Sequence, residues 1–167
     1  DAIESYEWAI SFGPKYAIAH INLASIYSSY DLEKALHHYQ EAISIEPNFP
    51  EAHYSLGTVF SSLGQKDESM KSYEKALELR SDYVEAHNAL STIKKYKKND
   101  PQIKQMKNLL KQTNLMLSDK ISLNFALAKA SEDLENHKDF FKFLNEGNHL
   151  NKEKLNYSID SDLEGIS

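Results

Sequence analysis

Histidines are the residues of this chain best suited to chemistry, and three of the seven fall in a pattern. His20, His53 and His87 each follow an alanine and stand 33 and 34 residues apart. A shared metal would require the three imidazoles to converge on one ion at about 2 Å. Equal spacing instead puts them in successive structural units, about a helix diameter (~10 Å) apart, so the column reads as packing. His37 and His38 are neighbours, which on a helix point about 100° apart instead of sharing a face as an i, i+4 pair would. No metal site is assigned. Carboxylates are plentiful, but none forms an acid–base pair; Glu132, Asp133 and Glu135 read as solvated charge near a helix end. There is no cysteine, which removes disulfides, thiolate ligands and thiol nucleophiles. No glycine-rich phosphate loop or nucleophile elbow occurs. Tyr54, Phe60 and Tyr73 stand at helical spacing and read as core. The expectation is a chain without catalytic residues and without a cofactor.

The elements that carry these residues are set by an internal repeat. Leu23, Leu56 and Leu90 follow the histidine rhythm, as do Tyr6, Tyr39 and Tyr73, and Ala9, Ala42 and Ala76. Four columns agree on one period, which marks a repeat architecture. Small residues (Ala24, Gly57, Ala35, Ala42, Ala76) let paired helices approach at the short end of the ~8–10 Å interaxial range. Pro14 and Pro47, each just after a second helix, stop that helix from running on. Valine occurs at positions 59 and 84 alone, so little argues for strands.

The clearest copy runs from Pro50-Glu51-Ala52-His53-Tyr54-Ser55-Leu56-Gly57 to Tyr73-Glu74-Lys75-Ala76-Leu77-Glu78-Leu79, and it resembles the tetratricopeptide repeat (TPR). Leu56, Gly57, Phe60, Tyr73 and Ala76 match that family's columns. His53 stands in its Trp column and Ser69 in its first Ala column. The resemblance implies an all-α fold, an α-α superhelix of antiparallel helix pairs, with about nine helices in sequence order. Its TPR domain is expected over 1–154: a half repeat at 1–13, full repeats at 17–49 and 50–83, and divergent repeats at 84–117 and 121–154. Residues 155–167 are expected to be a tail or linker to a further domain. Within 84–117, Lys94 replaces an aromatic, and Asp100-Pro101 is expected to restart the second helix, Asp as N-cap and Pro at the first helical position.

The run Phe125-Ala126-Leu127-Ala128-Lys129-Ala130-Ser131-Glu132-Asp133-Leu134, with Asn145-Glu146-Gly147-Asn148-His149-Leu150, resembles the last repeat of bacterial TPR-containing sulfotransferase proteins. Ala128 replaces that family's Gly, and nothing resembles its phosphosulfate-binding loop. The likeness implies a transferase-associated parent and gives these residues no activity.

The TPR resemblance also implies a function: a non-catalytic scaffold that binds a peptide or protein segment in the groove lined by first helices. Carried over column by column, the groove falls at Asn22, Ser25, Tyr54, Thr58, Asn88, Thr92, Lys95, Phe125 and Lys129, with Ile21, Ser28, Ser55 and Ser61 beside them. The carboxylate clamp of chaperone adaptors is absent, since Ile21 and Ser25 stand at its Lys and Asn positions. The asparagine ladder of glycosyltransferase repeats is broken at Ser55 and Ala89. The alternative is a substrate-presenting region of a sulfotransferase.

A net charge of −6 argues against general nucleic-acid binding. Lys94, Lys95, Lys97, Lys98, Lys104, Lys107 and Lys111 nevertheless gather in one stretch, while 132–167 is mostly acidic. Two solvated faces or a docking patch for an acidic partner would each explain this. No apolar run reaches the ~20 residues of a membrane span, and the chain is expected to be cytoplasmic. It opens on Asp1-Ala2-Ile3, already helix-like and without a signal peptide, so it is expected to begin within a longer structure. That start would leave Ile3, Tyr6 and Ile10 uncovered and favour self-association through this helix, with Trp8 as a partner contact.

Overall fold

A computed structural model describes the backbone of residues 2–164 and the side chains of 2–155. The described residues are all helical, without a strand, in nine helices: α1 (Ala2–Phe12), α2 (Ala17–Tyr27), α3 (Leu32–Ile45), α4 (Pro50–Ser62), α5 (Lys66–Leu79), α6 (Val84–Ile93), α7 (Pro101–Leu109), α8 (Leu117–Asp133) and α9 (His137–Glu164). Local chemistry sets several ends. Pro50 opens α4, where its missing N–H has no helical partner to lose. The Asp31 carboxylate accepts the Lys34 amide at 3.1 Å and caps α3. Asp100 accepts the Gln102 amide at 3.0 Å ahead of Pro101 and restarts the chain as α7. No helix among the described residues is long and apolar enough to cross a membrane. The chain divides into two compact units, the first ending at Ala86 and the second beginning at His87.

In the first unit α2 pairs with α3 and α4 with α5, α3 packs on α4, and α1 lies on α2. Leu23, Ala24, Tyr27, Ala35, Tyr39, Leu56 and Val59 form its buried core, each helix contributing an apolar stripe. The closest approach is at Gly57: a Cβ built there would lie 2.7 Å from the Tyr73 ring, so only glycine admits that ring. Ser69 is fully buried beside it, and its hydroxyl donates to the Gly57 carbonyl at 2.7 Å. The alanine-to-serine departure is thereby satisfied by a hydrogen bond. Ala42 and Ala76 are buried.

The expected bare face of α1 needs correction. Ile3, Tyr6 and Ile10 pack, partly buried, against the core, because α2 already covers that stripe. The exposed aromatics are Trp8 (66% exposed) and Phe12 (74%), one helical turn apart with ring centroids 4.5 Å from each other.

In the second unit α8 and α9 form the principal pair, with α7 against α8. Their connection repeats the α4–α5 turn bond for bond. Gly64 N–H donates to Ser61, Gln65 N–H to Phe60 and Lys66 N–H to Gly64; the counterparts are Glu135 to Glu132, Asn136 to Ser131 and His137 to Glu135. Gly64 takes φ 73° and Glu135 takes φ 56°, the left-handed residue that ends such helices. Ring and gap exchange helices in this pair: Phe125 of α8 lies over Gly147 of α9, 3.0 Å from a Cβ built there. Three boundaries fall elsewhere than the repeat register suggests. α7 has 9 residues, against 14 in α3 and α5. α8 begins at Leu117, four residues before 121. The backbone of α9 runs through 154 to Glu164, since no proline or glycine follows Gly147 before Gly165. Residues 165–167 of the expected tail lie outside the described residues.

Candidate functional site

The first unit gathers four of the expected groove residues. Ser28 at the end of α2 and Tyr54, Ser55 and Thr58 on α4 line an open cavity of about 200 Å³, closed below by Leu32 and Tyr39. Asn22 and Ser25, though on α2, are not part of its lining. Tyr54 is half-buried and sits in an aromatic run, its ring 5.7 Å from Tyr73 and 5.0 Å from Tyr83. The Arg80 guanidinium lies 3.6 Å over the Tyr83 ring while pairing with Glu51. Burial pushes the Tyr83 phenol up to about 12, so it stays a neutral donor. The wall around Tyr54 is therefore held by packing on one side and by a charged brace on the other.

The hydroxyls of the groove are partly spent. Thr58 donates to the Tyr54 carbonyl at 3.2 Å and accepts from the Tyr73 phenol at 3.3 Å. Ser28 donates to Ala24 at 2.9 Å, and Ser62 to Thr58 at 3.1 Å. A hydroxyl bonded back onto its own helix keeps lone pairs but no proton for a ligand. This surface consequently accepts hydrogen bonds better than it donates them.

In the second unit the expected groove residues are spread over α6, the stretch that follows it and α8. Asn88 and Thr92 are exposed on α6, with Thr92 donating to Ala89 at 2.7 Å. Lys95, expected on a first helix, stands in the non-helical stretch after Ile93. The helix stops there because Tyr96 turns inward, buried, and its amide donates to the Asp133 carboxylate at 3.1 Å. Lys129 is committed to the other Asp133 oxygen in an i, i+4 pair. Burial would raise the Asp133 pKa, but the Lys129 hydrogen bond, the Tyr96 amide and the charges of Lys129 and Lys95 outweigh it and hold the group below its ordinary value. Phe125 is half-buried over Gly147 and serves as packing.

The histidine column is buried at all three positions, but its members differ. His53 donates to the Pro47 carbonyl at 2.8 Å. His20 faces His38 with their Nδ1 atoms 3.1 Å apart, and His38 stacks on Tyr27 at 5.7 Å. Sequence spacing gave no sign of this pair, because it joins two columns across a helix interface. Among the described residues no three His, Cys, Asp or Glu side chains are grouped to hold a metal ion.

Residues 31–64 match the family model described as TPR repeat, and residues 50–83 match the tetratricopeptide repeat itself. Residues 31–83 are tetratricopeptide repeats. The described residues match the fold of TPR solenoids, as three solved structures show over most of the chain. MamA superimposes with a TM-score of 0.70 at 16% identity, over 93% of this chain and 90% of that one. YrrB, described as a TPR protein with an unusual peptide-binding site, does so with 0.57 at 19% identity, over 89% and 93%. An O-GlcNAc transferase mutant from Thermobaculum terrenum gives 0.55 at 24% identity, over 65% of this chain and 22% of the enzyme. No curated protein sequence matches the chain.

Proposed function

We propose that the chain is a non-catalytic interaction scaffold whose first unit binds an extended peptide segment against Tyr54. The observation that carries this is the cavity that Ser28, Tyr54, Ser55 and Thr58 share between the first helices of two successive repeats. An extended segment brings backbone N–H groups that lose water on binding and need acceptors. The half-spent serine and threonine oxygens offer them, and Tyr54 offers an aromatic wall. YrrB, of the same fold and described as having a peptide-binding site, supports the reading by analogy. Asn88 and Thr92 offer a further polar strip on α6.

The test is capture from a lysate of the source organism by the wild-type chain and by Tyr54→Ala, Ser55→Arg and Asn88→Ala variants. Circular dichroism should confirm equal folding. Partners lost with Tyr54→Ala and Ser55→Arg support the cavity; undiminished capture by both places binding elsewhere. Exposed Trp8 and Phe12 carry a finer proposal, self-association through α1. Sedimentation should show a concentration-dependent dimer that Trp8→Ala with Phe12→Ala abolishes, and a strict monomer at high concentration would contradict it.

The sulfotransferase reading rests on the likeness of residues 121–152 alone, with the repeats presenting a protein substrate to a transferase domain. A phosphosulfate-binding loop encoded beyond Ser167 in the parent reading frame would support it.

A further inference from the structure

We propose that a lysine-lined cleft formed by α7, α8 and α9 is a second docking surface, and that its occupant is an acidic peptide segment with an apolar anchor residue. Two adjoining cavities of about 560 and 750 Å³ share Lys107 and Lys111 of α7. Lys120 and Lys142 face the first, and Lys98 and Lys104 the second. Lys104 and Lys107, three residues apart, are exposed on one face of α7, and Lys111 follows four residues on, just beyond the helix. Lys107 has a carboxylate partner, Asp139 at 3.4 Å. Among the described residues the other five form no ion pair.

Such a concentration of cations in a chain of net charge −6 is a local reversal of sign, which attracts anionic partners and raises their association rate. The cleft also has an apolar floor, formed by Leu110, Phe143 and Leu150. The Lys107 and Lys142 ammonium groups each lie 5.5 Å from the Phe143 ring, so their charge stays at the rim of an apolar patch. A phosphate backbone offers nothing to that floor and brings no N–H donor to the lining carboxylates Asp139 and Glu146. A peptide can satisfy all three parts at once. Its Asp or Glu side chains pair with the lysines, its backbone N–H groups meet the two carboxylates, and one apolar side chain covers the floor. This surface shares no residue with the Tyr54 cavity, so the two readings stand or fall separately.

The test is binding of a labelled glutamate-rich nonapeptide with a central phenylalanine to the full chain, followed by fluorescence anisotropy. The comparison probes are the same peptide with central alanine and an oligothymidylate of equal charge. The expected result is binding that weakens as salt is raised from about 50 to about 200 mM. Lys107→Glu with Lys111→Glu should weaken it about tenfold or more, while Lys71→Glu on α5 leaves it unchanged. The central-alanine peptide should bind less well. Should the charge-reversed chain misfold by circular dichroism, Lys107→Gln with Lys111→Gln replaces it, with a smaller loss expected. No binding of the peptide, binding indifferent to these substitutions, or an oligothymidylate bound as tightly as the peptide would each overturn the proposal.

Discussion

Gly57 and Gly147 both receive an aromatic ring from the facing helix, yet substitution at the two should differ. At Gly57 a methyl group would press into Tyr73, whose ring is almost wholly buried and has no room to retreat. Gly57→Ala should therefore cost about 1–3 kcal/mol through overpacking, read as a lower denaturation midpoint. At Gly147 the Phe125 ring is half-buried and the contact is 3.0 Å rather than 2.7 Å. The ring can yield by a few tenths of an ångström, and alanine gains about 1 kcal/mol of helix propensity, so Gly147→Ala should be near neutral. The His20–His38 pair sets a pH dependence. Burial, then the nearby His20 and His37, holds His38 below its ordinary value of 6.5, against the opposite pull of Glu7 and Glu41. A base whose folded pKa is lowered favours folding fully above the unfolded value and loses that contribution as pH falls below it. The urea midpoint should accordingly drop between pH ~7.5 and ~5.5, and His38→Gln should flatten that drop. The repeat columns were legible because they recur, whereas this pair was not, because the sequence does not say which columns of two different helices meet.

The α4–α5 and α8–α9 turns share a hydrogen-bond pattern but not a residue at the left-handed position. Glu135 holds φ 56° there against the steric cost of its Cβ, about 1–2 kcal/mol. Glu135→Gly removes that cost and loses part of the gain to unfolded-chain entropy. A rise in stability of about 0.5–1 kcal/mol is expected, and Gly64→Glu should lower stability by a similar amount; thermal unfolding of the two variants checks both signs. The stretch after α6 depends on Asp133, which holds the Tyr96 amide and Lys129 together. Asp133→Ala leaves that amide without its acceptor and should cost about 1–3 kcal/mol, while Asp133→Asn, keeping an oxygen, should recover part of the loss in the same denaturation assay. Helix order, the Asp100-Pro101 restart and the paired hairpins were legible because caps and apolar periodicity act locally. Lys95 and Lys129 were expected in the groove, but the dependence of their surroundings on Asp133, 38 and 4 residues away, was not legible from the sequence. The repeat register was likewise silent on Phe125 filling the gap at Gly147.

As a molecule the chain is acidic and cysteine-free, with one tryptophan among 167 residues. That indole is on α1 and two-thirds exposed, while the buried tyrosines of the first unit, Tyr27, Tyr39 and Tyr73, lie on other helices. Intrinsic fluorescence excited at the red edge of the absorption band is thus a report from one end of the sequence. Its emission should resemble that of tryptophan in water even in the native state, and acrylamide should quench it readily. Denaturation followed by this signal should show little amplitude while ellipticity falls through a full transition. An association that covers α1 would reverse the picture, shifting the emission to shorter wavelength with no change in helix content. Trp8 is in effect a natural optical probe of this surface, silent on folding and responsive to contact.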